Sequence, residues 1–192
     1  MDYGAKMIQW APFASSDPEP ADSVPSYGTP INLGALNKVT ETINWVEASG
    51  YGDNARKVYI KEFKDGSLAV ETLYLSIANM AAVSGGTVED GSEGNLHFSS
   101  EDAPPYGGLA FYTNGMTDAG AKYYQGIWYP KVKAGLEAKE YATRGDSIVL
   151  SNAKLSFAVS ACKSGDWKIL SPEFDTEAEA ASWVNSKIKA KV

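Results

Sequence analysis

The chain has 192 residues, 44% of them hydrophobic and 21% charged, which describes an ordinary soluble globular protein with room for one proper core or, at a stretch, two small ones. Its net charge of -7 argues against a nucleic-acid binder that works by neutralising phosphates, though not against a surface that DNA slides past. The single cysteine, Cys162, fits a reducing interior; no apolar run approaches a ~20-residue membrane span and the start lacks a signal-sequence pattern, so the chain is expected to be made in the cytoplasm without a membrane partner.

Met7 to Trp10 reads as a short strand ended by Pro12. Ser15 to Ser26 is acidic and proline-rich with little to bury, which predicts an arm or loop at about 13 to 27. Two readings are open there: an arm reaching a neighbouring subunit, or a plain surface loop. From Pro30 to Val46, Val39, Ile43 and Trp45 alternate with Thr40, Thr42 and Asn44, a half-buried strand in which Glu41 is the exception. Glu47 to Ala55, with two glycines, Asp53-Asn54 and an isolated Tyr51, has the composition of a long loop. Asp65-Gly66 is the best short-range turn signal in the chain and predicts a hairpin between Arg56–Lys64 and Ser67–Leu75.

Ser76 to Val83 changes period and predicts one short helix, capped by Ser76 and stopped by Gly85-Gly86. Thr87 to Ala103 reads as an acidic loop with a brief strand near Leu96 and Phe98. Pro104 to Lys133 is the densest aromatic stretch and predicts an antiparallel hairpin, its strands separated by Asn114-Gly115 and the loop to Gly120. Alternation puts Leu109 and Phe111 on one face of its first strand, with Tyr106, Ala110 and Tyr112 on the other. In the second strand it groups Tyr124, Trp128 and Val132 against Tyr123, Ile127 and Tyr129. Both faces are apolar, so both want cover, from a second layer or from another subunit.

Gly135 to Gly145 is polar and ambiguous, while Ile148–Leu150, Lys154–Cys162 and Trp167–Phe174 read as further strands. Thr176 and Glu179 form a capping box for a terminal helix, with Lys187, Lys189 and Lys191 late and an apolar stripe of Ala180, Trp183, Val184 and Ile188. The expected fold is mainly β (α+β): a single domain over residues 1–192, an antiparallel sandwich or barrel of about seven or eight strands with one short internal helix and a C-terminal helix packed outside.

Catalytic and metal signals are weak. The one histidine, His97, sits in a loop without a nucleophile or zinc-like company, and no phosphate-binding glycine motif is present. Glu71, Glu89-Asp90 and Glu101-Asp102 would have to pair as acid and base in a glycosidase; adjacent acids in a glycine-rich loop read better as a solvated rim. The stretch D-G-S-E-G-N from Asp90 resembles a calcium loop but lacks its ligand spacing. No catalytic residue, cofactor or metal is therefore expected. Tyr123, Tyr124, Trp128 and Tyr129 leave two readings: a stacking platform in a carbohydrate-binding sandwich module, or core and subunit-interface residues, which the residues favour.

Six segments, in order over nearly the whole chain, carry a resemblance: Y-G-A-K-M-I-Q-W-A-P from Tyr3, Y-G-T-P-I-N-L-G-A-L from Tyr27, P-P-Y-G-G-L-A-F-Y from Pro104, Y-Y-Q-G-I-W-Y-P-K-V-K-A-G from Tyr123, R-G-D-S-I from Arg144 and E-F-D-T-E-A-E-A-A-S-W-V from Glu173. Together they resemble the major tail protein of long-tailed, non-contractile bacteriophages and prophages of Gram-positive bacteria. The stretches 15–26 and 83–103 depart from the pattern. The resemblance implies a structural virion protein of the tail tube: hexameric rings that stack, enclosing the tape-measure protein and meeting other tail proteins, with DNA passing the lumen unbound. It also implies that the loop with Tyr51, Asp53 and Asn54 reaches the next ring. On this reading Tyr123, Tyr124, Ile127, Trp128 and Tyr129 serve the subunit interface, and one of the two hairpin faces is buried only in the ring. An acidic chain suits such a lumen.

Overall fold

The period-two alternation gathers into one twisted antiparallel sheet, seen in a computed structural model that describes residues 1–14, 19–20, 23–89, 94–136 and 151–189. In chain order the elements are β1 (Asp2–Pro12), β2 (Ile31–Asn32), β3 (Leu36–Gly52), β4 (Ala55–Thr72), α1 (Ile77–Ser84), β5 (Thr87–Val88), β6 (Leu96–His97), β7 (Tyr106–Met116), β8 (Lys122–Leu136), β9 (Ala153–Val159), β10 (Ile169–Phe174) and α2 (Glu177–Ile188). Eight strands share the main sheet in the spatial order β2-β1-β7-β8-β9-β4-β3, with β10 also on β8; β5 and β6 pair separately. The mainly β, sandwich-like expectation holds, and so do both helices. The barrel alternative does not, because β2 and β3 end the sheet among the described residues.

β8 is the axis of this sheet. One edge pairs along its length with β7, and the other is shared: Tyr124 to Trp128 with β10, Val132 to Leu136 with β9. Pro130 sits at the division. It has no N–H to give a ladder, and the register jumps there, from Leu109↔Tyr129 to Gly107↔Val132, so three residues of β8 span two of β7. That bulge turns Val132 to the Tyr129 side, which corrects the expectation that it shares a face with Tyr124 and Trp128.

Two cores result, one on each face of the β7–β8 pair. The larger is built from Ile8, Trp10, Leu68, Val70, Leu109, Phe111, Tyr129, Val132, Leu155 and Phe157, with Val83 of α1 among them. The smaller brings Ala110, Tyr112 and Trp128 under Ala180, Val184 and Ile188 of α2, with Tyr27 at its edge. α2 begins as its sequence requires: the Thr176 hydroxyl accepts from the Glu179 N–H, and the Glu179 carboxylate accepts from the Thr176 N–H. α1 starts on Ser76 and ends on Gly85 in the left-handed conformation.

The region 36–72 departs from expectation. β3 and β4 pair from Leu36↔Thr72 to Gly52↔Ala55, with register shifts after Leu36, Asn44 and Gly50, so Glu47 to Ala55 is a strand end and not a loop. Its turn is Asp53-Asn54, with φ of 51° and 61°, the pair of positive values a two-residue hairpin turn requires. Asp65-Gly66 lies mid-strand instead. A Cβ on Gly66 would come within 3.0 Å of Ile43 and 3.1 Å of the Thr42 carbonyl, so this glycine serves close strand packing.

The proline-rich segment is a folded-back loop where it is described. Tyr27 is buried, donates its hydroxyl to the Pro130 carbonyl at 2.7 Å, and lies where any side chain on Gly108 would have to go. Glu19 accepts from Lys131 at 2.9 Å and from the Lys163 backbone N–H at 3.0 Å. These anchors belong to the chain's own body, not to a neighbour. Asp17, the acid at Asp90, the R-G-D-S-I segment and the strand expected at Ile148–Leu150 lie outside the described residues.

Trp128 is 2% exposed, with nothing able to refill its site but α2 and Tyr27. Trp128→Ala is expected to cost about 3–5 kcal/mol of unfolding free energy. Chemical denaturation checks this; a loss within experimental scatter would contradict a packed α2 face.

Candidate functional site

The residues singled out from sequence fall into two separate places. Trp128 and Tyr129, consecutive on β8, point to opposite faces and fill opposite cores, at 2% and 1% exposure. The Trp128 ring meets Tyr27 edge-on at 6.1 Å, and Tyr129 lies 6.5 Å from Phe111. Both are therefore buried within the chain itself, as Val132 is, which corrects the expectation that one hairpin face waits for the ring. It also leaves neither ring a free face on which a sugar could stack. Tyr124 and Ile127 are half-buried against the two cores. Tyr123 is half-buried too; it donates to Asp2 at 2.7 Å, and that bond, with partial desolvation, pushes its phenol up to about 12.

Tyr129 explains the exception in the β3 alternation. Glu41 lies on the inward face of β3, opposite Leu68, and accepts from the Tyr129 hydroxyl at 2.9 Å and from Lys168 Nζ at 2.7 Å. Desolvation first, then the Glu41 charge, drives the Tyr129 phenol far above its ordinary range. Glu41 is thus a tie between strands and not a stray surface acid.

The sequence-flagged carboxylates stay apart in local roles. Asp102 accepts from the Ser99 N–H at 2.8 Å in a turn, and Glu89 meets His97 at 2.8 Å and Asn95 at 2.9 Å, all exposed. Among the described residues no group of three or more His, Cys, Asp or Glu is placed to hold a metal ion. No helix among them is long and apolar enough to cross a membrane.

Tyr51, Asp53 and Asn54 occupy the tip of a different structure. β4 leaves its partner β9 after Gly66↔Val159, and from Asn44 to Asp65 the β3–β4 ribbon continues with no further sheet neighbour among the described residues. This arm is roughly 30 Å long at the usual strand rise. Its two faces differ. One carries Trp45 and Phe63 at the base, then Glu47 opposite Lys61, Ser49 opposite Tyr59, and Tyr51 opposite Arg56. Here the side chains satisfy one another: Lys61 reaches Glu47 at 3.0 Å and lies 5.1 Å from the Trp45 ring centre, and Arg56 lies 4.8 Å from that of Tyr59.

The other face carries Val46 opposite Glu62, Ala48 opposite Ile60, and Gly50 opposite Val58. Val46, Val58 and Ile60 are each about half exposed, an unusual place for three β-branched residues in a row. Sequence reasoning missed this face. Its signal was present, since Val46, Ala48 and Gly50 keep period two and Val58, Ile60 and Glu62 mirror it about Asp53-Asn54, but Asp65-Gly66 is the stronger turn dipeptide.

The Lys61 ammonium, with help from the Tyr59 hydroxyl, holds the Glu47 carboxyl below its ordinary value of 4.5. A carboxyl depressed on folding adds stability above that value and loses it as pH falls through the folded pKa. In a carbon-13 titration Glu47 is expected to titrate below 4.5 and to move back up in Lys61→Met. A midpoint at or above 4.5 in the parent protein would show that the tie is not made in solution.

Compared with protein-family models the chain matches none, and compared with curated proteins it matches none.

Proposed function

We propose that this chain is a structural, self-assembling subunit of a phage-type tail tube: hexameric rings that stack into a hollow tube around a tape-measure protein and later conduct DNA. The reading takes its family from the resemblance of the six sequence segments. Its physical support is one observation, the arm from Asn44 to Asp65. A two-stranded ribbon is marginal alone in water, and this one keeps Val46, Val58 and Ile60 half exposed together on one of its faces. An element of that kind is stabilised by docking.

Charge favours a second copy as the partner. The arm holds four of the 24 acidic residues (Glu47, Asp53, Glu62, Asp65) and four of the 17 basic ones (Arg56, Lys57, Lys61, Lys64), so it is neutral and the body carries the whole net charge of -7. An arm without net charge approaches an acidic body without the repulsion that two bodies feel. Arm on body is a heterologous contact, the kind that closes rings or propagates a stack. The acidic body suits a lumen past which DNA slides.

Electron microscopy of the purified protein is expected to show rings or tubes. Deleting Gly50 to Asn54 is expected to leave a folded subunit, by circular dichroism, that forms none. Ile60→Glu is expected to act likewise, since burying that charge in the contact costs more than about 2 kcal/mol. Normal tubes from either variant would overturn the arm's role; a parent protein that stays dispersed at every concentration tried would overturn the tube reading.

A further inference from the structure

The arm leaves the sheet at a point where three features coincide. β9 pairing stops at Gly66↔Val159; the β3–β4 register shifts between Asn44 and Trp45, making Lys64 an extra residue; and the first rung beyond is Trp45 opposite Phe63. A bulge at the end of a supported strand is where a ribbon bends. On that rung lies Trp167, from the loop between β9 and β10. Its ring stacks on Phe63 at 4.5 Å with an angle of 4°, and meets Trp45 edge-on at 6.3 Å, while Trp45 and Phe63 meet edge-on at 6.3 Å.

The loop that presents Trp167 is cross-linked by its own hydrogen bonds and tied to the body at both ends. The Ser160 N–H donates to the Lys131 carbonyl at 3.1 Å, and Ile169 pairs with Trp128. Between them the Cys162 N–H donates to the Asp166 carbonyl, the Gly165 N–H to the Cys162 carbonyl, and the Ser164 hydroxyl to the Asp166 carboxylate. The next residue, Lys168, grips Glu41 at 2.7 Å, and Glu41 is in turn held by the core residue Tyr129. Two adjacent side chains thus reach in two directions, one to the arm's root and one to the core.

We propose that Trp167 and Lys168 form a brace that fixes the direction in which the arm leaves the body. Trp167 is a positioning residue: it sets where the apolar face of Val46, Val58 and Ile60 is presented. The consequence for assembly rests on the tube reading; the bracing itself does not. A ring or stack needs every arm at one angle, so a free arm would keep its contacts and lose the geometry that closes them.

The test places spin labels on Lys57→Cys beside the arm tip and Asp118→Cys on the β7–β8 turn of the full chain, where Cys162 is buried and stays unlabelled. The tip-to-body distance distribution is measured on dispersed subunits. Trp167→Ala is expected to widen it roughly twofold and Trp167→Phe, which can still stack on Phe63, to restore it. Trp45→Ala alters the arm side of the same rung, leaves the body's core untouched, and is expected to widen it as well; it stands in if Trp167→Ala does not fold. An unchanged width overturns the brace, whatever microscopy shows. A widened distribution with loss of tubes supports brace and tube together, and a widened distribution in a protein whose parent forms no tubes supports the brace and overturns the tube reading.

Discussion

Trp128 and Tyr129 are neighbours on one strand, and a strand sends neighbours to opposite faces. Because both are large and both are buried, the sheet at β7–β8 must be covered twice. That constraint organises the molecule. α2 and Tyr27 supply one cover, while β9, β4 and β3, carried round on the far half of β8, supply the other. Pro130, unable to donate to the ladder, marks where β8 changes partners, and the bulge beside it turns Val132 inward to join the larger core.

Polar ties inside the body follow the same logic. Glu41 is tolerated on an inward-facing position because it accepts from both Tyr129 and Lys168, and Glu19 reaches a largely covered Lys131 that a backbone N–H helps it hold. A partly covered charge is costly unless donors reach it, and these carboxylates, with their donors, cross-link segments far apart in sequence. Both carboxylates are paired within the body. The arm is the contrast: one face ties Glu47 to Lys61 and Arg56 to Tyr59, the other carries half-exposed Val46, Val58 and Ile60, and its neutrality sets it apart from an acidic body. The difference between the two faces is why assembly is proposed for the arm and not for the aromatic hairpin.

Much of this was legible from residues alone where local chemistry decides. The capping box at Thr176 and Glu179 and the Ser76 cap define both helices, and the alternation of Leu155, Phe157 and Val159 defines β9. The two-faced character of the 104–133 hairpin is equally plain, and it correctly demanded two covers. Misreading began where two local signals competed. Asp65-Gly66 outranks Asp53-Asn54 as a turn dipeptide, yet Gly66 is packed under Ile43 and beside Val159, and that crowding exists only once β3 and β9 flank β4.

The amino-acid sequence by itself determined the elements whose reasons lie within a few residues: caps, periodicities, and the need to hide Trp128 and Tyr129 somewhere. Which surface would hide them was decided by tertiary structure, because α2 lies about fifty residues further along the chain and its packing partner is not encoded in β8. The arm is the same case in reverse. Its strands are written in the alternation of Val46, Ala48, Val58 and Ile60, but that they stay half exposed, with no further sheet neighbour among the described residues, follows from where β9 stops, a fact set by the pairing of distant strands and by no local preference.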